Sequence, residues 1–445
     1  MDYRNSYREL RTDWLKLRGC LHDPGTHLPA LPSVIDPVRR RLEAGERLGL
    51  IFFDPAGGGH LEAVWGWQAY DQLLEEVAEA LRGVKAAHLA EPDVLAQAGV
   101  RSDEILLFVG LEGADDEAFP ARLEEVRQAL TEDVRGILAA HPAPESHTRP
   151  RLVSAAVPLR IDPTVRIERS IYRCLEEARI RCRHESERRK TGRLAELTRL
   201  IEERQVVTRY QPIVDLADGS VFGLEALSGP PSSEIFERGD LLFSFAEETD
   251  RIVELDRLCR REALRRARPL LGLGGRLPDS KLFLNCSAHV ISDPELISDL
   301  VAGAGQLGIE PGDVVVEITE RVAITEWKDF RKALRDLREA GLRIAIDDMG
   351  SGYSSLRAVA EIEPDFVKFD LSLILDIHRS PIKRDMVEAL VLLAEKIGAR
   401  PVAEGIEKRE ELVVLQTMGV GLGQGYFLAT PAEPDELGPV HFPRD

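Results

Sequence analysis

The C-terminal half of this chain carries a repeat that leaves few folds open to it. From Val206 onward eight short apolar runs recur, near residues 207–214, 221–226, 282–286, 314–318, 343–347, 366–369, 400–404 and 421–427, and helix-like stretches separate most of them. Alternation of strands with helical crossovers builds parallel sheet. Eight such units in about 240 residues predict a TIM-type (β/α)8 barrel, an α/β fold that takes ~250 residues. The first two runs are joined only by Leu216-Ala217-Asp218-Gly219-Ser220. That loop is a hairpin, too short for a crossover helix, so the first strand is expected to run antiparallel to the second.

The runs end on polar side chains. The second closes at Glu225, the third at Asn285, the fourth at Glu317 and the fifth at Asp347-Asp348; the sixth carries Lys368, the seventh Glu404 and the eighth Gln424. Parallel barrel strands bring their C-terminal ends to one rim, where active sites are built. A purely structural account would need seven independent coincidences. The adjacent aspartates are informative in another way. Asp-Asp is common in solvated loops, but after the apolar Ile344-Ala345-Ile346 two repelling carboxylates become favourable when they share a hard divalent cation.

These residues sit in a specific set of motifs. Glu225-Ala226-Leu227 is followed in order by Phe283-Leu284-Asn285, Val316-Glu317-Ile318-Thr319-Glu320, the segment from Asp347-Asp348-Met349-Gly350 to Leu356, Val367-Lys368-Phe369-Asp370, Ala403-Glu404-Gly405-Ile406-Glu407 and Gln424-Gly425-Tyr426. Over about residues 206–430 the chain resembles the EAL family of cyclic di-GMP phosphodiesterases. The resemblance implies that Glu225, Asn285, Glu317 and Asp347 hold one metal, with Asp347 bridging to a second that Asp348 also binds. It implies that Lys368 contacts the attacking water, that Glu404 acts as base or supports the second metal, and that Glu320 braces the loop after Asp347-Asp348. Gln211 on the first strand, Leu227, Gln424 and Glu407 would face the substrate. Two divalent ions, magnesium or manganese by the oxygen-rich ligands, would then open cyclic di-GMP to linear pGpG. Asp370 either tethers Lys368 or caps the next helix; the cap is slightly favoured.

One departure stands out. Active members of the family commonly follow the signature with an arginine that grips the substrate phosphate, whereas here Leu227 is followed by Ser228-Gly229-Pro230-Pro231 and no basic residue occurs until Arg238. Losing a charge-assisted phosphate contact costs about 1.5–3 kcal/mol, so weakened substrate binding with retained chemistry is expected. The competing class is a cyclic di-GMP receptor that signals occupancy to a partner. Retention of the metal ligands and Lys368 argues against it. A pure scaffold is weaker still.

In the N-terminal half, residues 1–45 hold an amphipathic stretch around Tyr7, Leu10, Trp14, Leu15 and Leu17 and a connector with Pro24, Pro29, Pro32 and Pro37. A buried-strand pattern over residues 48–54 then ends on Asp54, and Asp103-Glu104 introduces the run from Ile105 to Val109. Over roughly residues 41–180 the chain resembles the GGDEF family of diguanylate cyclases, and the domain is expected at 46–180. Asp54, Asp103 and Glu104 match its metal-holding acids and Asp71 its guanine-reading aspartate. The two motif glycines are replaced by Arg101 and Ser102, and Glu62 stands where asparagine reads guanine. The family's inhibitory RxxD is missing too: Asp93 could supply the acid, but Ala90 stands where the arginine belongs. The resemblance implies a catalytically inactive cyclase-like domain serving regulation or dimerisation. A charged helix over about 181–205, with Leu194, Leu197, Leu200 and Ile201 as an apolar stripe, reads either as a signalling helix paired in a homodimer or as a solvated linker to the domain at 206–445.

A formal net charge of -19 argues against nucleic acid polymers or anionic membranes as partners. No apolar run is long enough to span a membrane, and the charged N-terminus is unlike a secretory signal. Five scattered cysteines without a CxxC fit reduced structural thiols in a cytoplasmic protein, and ten histidines without HxxxH or HxH spacing speak against zinc. The N-terminal region is the expected place for a protein partner.

Overall fold

In the computed structural model the described residues are 21–55, 62, 66–88, 93–111, 115, 117–140, 152–231, 235, 236, 238–287, 290, 291, 293–319, 327–350 and 356–443. The chain divides into two units, residues 1–192 and 193–445.

The first unit is built on a strand apolar along nearly its whole length. β1 (Leu48–Asp54) is buried through Phe53, as both faces of a covered sheet require. It pairs antiparallel with β3 (Ile105–Gly110) and β4 (Val153–Pro158), and β2 (Val94–Gln97) completes the order β2-β3-β1-β4. Strand alternation splits its side chains. Ile51 and Phe53 pack with α2 (Trp67–His88) and α3 (Phe119–Ala140) through Leu73, Val77, Leu123 and Val134. Leu50 and Phe52 pack with α1 (Leu31–Glu43) and α4 (Ile167–Glu202) through Leu31, Val38, Ile171 and Leu175. Part of the proline-rich stretch is therefore helical. Pro32 lies in the first turn of α1, where its missing N–H costs nothing, and Pro37 lies inside the helix. Tyr7 to Leu17 fall outside the described residues.

Helix α4 supplies Cys174, Ala178 and Cys182 to the core of the first unit and Leu197 and Leu200 to that of the second. Arg–Glu pairs one turn apart, such as Arg189–Glu185 at 2.8 Å, line its charged middle. Two residues of the expected stripe are thus spent on packing within the chain, and Leu194 is exposed. Four described cysteines are free and buried, and burial pushes the Cys174, Cys182 and Cys259 thiols up to about 12.

The second unit is a closed eight-stranded barrel: β5 (Val207–Asp215), β6 (Val221–Gly229), β7 (Lys281–Cys286), β8 (Val314–Thr319), β9 (Arg343–Met349), β10 (Phe366–Phe369), β11 (Arg400–Ala403) and β12 (Leu422–Gly423). From β6 to β12 each neighbouring pair is parallel. As the hairpin loop requires, β5 is antiparallel to β6, and it is antiparallel to β12 as well. The last run is shorter than expected because its backbone groups go elsewhere. Ile406 N–H donates to Gln424 O and Phe427 N–H to Ile406 O, and Gly425 lies so close that a Cβ there would meet Ile406 O at 2.1 Å.

Inside the barrel, Ile213, Phe283, Val315, Ala345, Phe366, Val402 and Leu422 form an apolar layer with one residue from each of seven strands. The remaining strand, β6, contributes Gly223. A Cβ there would stand 2.8 Å from the Phe283 ring, so glycine makes room for it.

Candidate active site

Side chains alternate along a strand, so the residue two positions towards the rim from each layer member shares its inward face. Those residues are Gln211, Glu225, Asn285, Glu317, Asp347, Lys368, Glu404 and Gln424: eight polar groups stacked directly above an apolar plug. The barrel thus brings together the polar run ends, with Gln211 delivered from the antiparallel strand opposite Glu225.

Lys368, 1% exposed, is the centre of this layer. Its Nζ lies 2.6 Å from Glu404 Oε1, 2.9 Å from Glu317 Oε1, 3.1 Å from Asp347 Oδ1 and 3.2 Å from Glu225 Oε2. Glu225 also accepts hydrogen bonds from Gln424 Nε2 (2.6 Å) and Asn285 Nδ2 (3.0 Å). Burial alone would raise the Glu225 carboxyl, but the Lys368 ammonium and these amides outweigh it and hold it below its ordinary value. Glu317 shares the ammonium, but without amide donors that help is outweighed. Burial first, then the Glu225 charge, push it well above the usual carboxylate range, and burial with Asp347 and Glu225 does the same to Glu404. Burial would also strip Lys368 of its proton, yet Asp347, Glu225, Glu317 and Glu404 together hold its pKa well above the usual lysine value.

Asp348 reaches the mouth by a local irregularity. The β9–β10 register runs Val367↔Ile346 and then Phe369↔Met349, so two residues of β9, Asp347 and Asp348, stand against Lys368 alone. This bulge, with Asp348 at φ 59°, cancels the alternation that would turn one carboxylate outward. One oxygen each from Asp347, Asp348 and Glu404 then lie within 4.8 Å of one another.

The donor set fits divalent cations. Four carboxylates share an ammonium with three protons; among the described residues Glu317 Oε1 and Asp347 Oδ1 have only that ammonium close by, and Glu317 Oε2 accepts no hydrogen bond. Buried carboxylate oxygens without donors are costly, and a hard cation relieves them.

Around this centre, Gln211 is buried and donates to Ala429 O at 3.1 Å, Leu227 is half-buried and Glu407 is exposed. Asp370 caps the next helix by accepting from Ser372 N–H at 2.9 Å. Glu320 lies outside the described residues. Asp376, His378 and Glu411 form a second close group, but it is closed by its own donors. Both Glu411 oxygens accept backbone N–H groups, and Lys408 Nζ lies 2.7 Å from Asp376. Sequence patterns did not single out Glu411, although the carboxylate three residues after Lys408 is half of a capping box and could have flagged it.

In the first unit, the cyclase-like acids are engaged internally. Arg179 on α4 grips Glu104 in a fork, with 2.8 Å from Nε to Oε1 and 2.5 Å from Nη2 to Oε2. The Tyr70 hydroxyl donates to Asp103 at 3.2 Å; burial, then the charges of Asp103, Asp54 and Glu62, push its pKa up. Arg101, where the motif requires glycine, keeps a left-handed φ of 59°, and its N–H donates to Asp23 Oδ2 at 3.0 Å. Asp71 is exposed on α2. Asp93 is buried, pairs with Arg41 at 3.2 Å and accepts from Gly110 N–H.

Comparison with known proteins agrees with this geometry. The family profile described as "EAL domain" matches residues 194–431, more than half of the chain. The bifunctional diguanylate cyclase/cyclic di-GMP phosphodiesterase MucR of Pseudomonas aeruginosa is 27% identical over 439 residues, which cover 94% of this chain and 61% of that protein. The cyclic di-GMP phosphodiesterase NbdA of the same organism is 32% identical over 239 residues, covering 53% of this chain and 30% of its own length. The chain therefore spans less than two thirds of either relative. A solved structure described as "PaMucR Phosphodiesterase, c-di-GMP complex" is similar with a TM-score of 0.50 at 28% identity, over 55% of this chain and 99% of that one.

Proposed function

The chain belongs to the EAL family, and we propose that its barrel mouth hydrolyses cyclic di-GMP to linear pGpG with two divalent ions, magnesium or manganese. The observation that carries this reading is the buried cluster in which four carboxylates crowd one ammonium, Lys368, while Glu317 Oε2 accepts no hydrogen bond. Relatives described as cyclic di-GMP phosphodiesterases support the substrate.

Glu225, Asn285, Glu317, Asp347 and Asp348 are the residues that would hold the metals. Divalent ions there supply positive charge that polarises a phosphate oxygen and acidifies water. The protein's own groups do the rest. Lys368 keeps its proton and remains a fixed ammonium at the floor of the mouth. Glu404 Oε1, 2.6 Å from it, takes a proton from the attacking water. As the water oxygen bonds to phosphorus, the P–O3′ bond breaks; the freed O3′ takes a proton from solvent and a 5′-phosphate remains. Gln211, Leu227, Gln424 and Glu407 orient the nucleotide.

In the same reading, residues 46–180 form a regulatory domain that turns over no nucleotide, since Arg179, Tyr70 and Asp23 occupy the groups a nucleotide and its metal would need. The protein is read as cytoplasmic and homodimeric; no helix among the described residues is long and apolar enough to cross a membrane.

The test is hydrolysis of cyclic di-GMP by the purified protein with magnesium or manganese, alongside Glu225→Ala. Linear pGpG from the wild type and none from the variant is the expected result. Saturable binding without product would move the assignment to a receptor.

A further inference from the structure

The cation at the floor of the mouth, Lys368, is spent on four carboxylates, yet a cyclic dinucleotide brings two phosphate charges to this rim. Arg209 is positioned to meet one of them. On β5, Thr208 and Tyr210 face away from the barrel interior: the Tyr210 hydroxyl donates to Ala263 O at 2.5 Å, and the Thr208 and Ser228 hydroxyls lie 3.0 Å apart. Alternation therefore sets Arg209 on the inward face with Gln211 and Ile213. Because β5 is antiparallel, its N-terminal end is the one that reaches the rim. Gln211 pairs with Glu225, and Arg209 pairs with Leu227 one layer higher. Arg209 is exposed, and its guanidinium has no hydrogen bond or ion pair among the described residues. Arg257 and Arg261, by contrast, are held by acids.

We propose that Arg209 is a substrate-binding residue whose guanidinium grips a phosphate of the cyclic dinucleotide, from the strand beside the one that lacks a basic residue after Leu227. This rests on the phosphodiesterase reading above. Gly229 pairs with Val207, so Gly229 and Arg209 are diagonal neighbours across the β5–β6 ladder.

Initial rates of cyclic di-GMP hydrolysis test it with the wild type, Arg209→Ala, Arg209→Lys and the double variant Arg209→Ala/Gly229→Arg. Arg209→Ala is expected to raise KM by about ten- to a hundredfold with kcat nearly unchanged, the pattern of a lost ground-state contact. Arg209→Lys should recover part of the loss. The double variant should recover more, because a Cβ at Gly229 meets nothing closer than 3.5 Å. KM of the wild type should also climb more steeply with salt than that of Arg209→Ala. If the wild type turns over and folded Arg209→Ala keeps a KM within about twofold of it, the proposal is overturned while the phosphodiesterase reading stands. A wild type that neither binds nor hydrolyses the dinucleotide overturns that reading, and the role of Arg209 with it.

Discussion

Lys368 Nζ lies 2.6 Å from Glu404 Oε1, the shortest of four contacts that one buried ammonium makes with carboxylates from four strand ends. The ammonium and a divalent cation answer the same need, charge for these oxygens. Lys368→Met should therefore expose the need directly. Breaking a buried ion cluster costs about 3–5 kcal/mol, so the melting temperature in EDTA should fall by several degrees. Manganese should restore much of that loss, while hydrolysis stays down by about a hundredfold or more. Thermal melts with and without manganese, paired with rates, check both halves. An unchanged melt in EDTA would mean that Lys368 does not hold the cluster together.

Glu317 and Glu404 have their proton affinities raised well above the ordinary carboxylate range, first by burial. The metal-free site therefore holds its protons to higher pH than ordinary carboxylates do, and a cation must compete with them. Manganese binding should release protons and weaken as pH falls, because protonation and metal compete for the same oxygens. Calorimetry in two buffers of different ionisation enthalpy measures the release directly. Equal apparent enthalpies in both buffers would contradict the raised carboxyls.

Much of this site was legible because it depends on spacing alone. An apolar residue followed two places later by a polar one, repeated around the barrel, gives Phe283/Asn285, Val315/Glu317 and Phe366/Lys368, and strand alternation turns that spacing into a shared mouth. The antiparallel first strand was legible for a similar reason, since the loop after Asp215 is too short for any other path. What could not be read depends on where backbone groups find partners. The end of the last run bonds to Ile406 instead of extending the sheet, and plain alternation from Asp347 would have turned Asp348 away. The fork from Arg179 to Glu104 joins residues 75 apart in sequence, a pairing that no local pattern announces.

The bulge at Asp347-Asp348 separates two roles of Asp348, as a ligand and as a backbone in the left-handed region at φ 59°. Asparagine tolerates that conformation and valine does not. Asp348→Asn should thus melt near the wild type while raising the manganese needed for half-maximal rate by on the order of 10–100-fold, the range known even for groups one step removed from a metal. Asp348→Val should show the same metal defect and lose a further ~1–2 kcal/mol of stability. Metal titrations and melts on the two variants check this. Equal stability would place the strain elsewhere.

Glu411 is buried completely and serves three backbone N–H groups: Asp376 at 2.8 Å through Oε1, and Glu407 and Lys408 at 3.0 Å each through Oε2. It thereby ties the segment after Glu404 both to the first turn of the helix Arg409–Thr417 and to the loop at Asp376. Glu411→Ala removes the acceptor of all three donors, which are only part-buried, so the cost stays below the ~1–3 kcal/mol that each fully buried orphan would carry. Because its hydrogen bonds go to backbone N–H groups of Asp376, Glu407 and Lys408 and not to the Lys368 cluster, the loss should appear first as motion. Amide hydrogen exchange of peptides containing residues 376 and 404–408 should quicken well before the barrel strands exchange, and Glu411→Gln, which keeps one acceptor oxygen, should fall between. Exchange that quickens uniformly across the barrel would instead make Glu411 a residue of global stability, with no particular hold on the segment that carries Glu404.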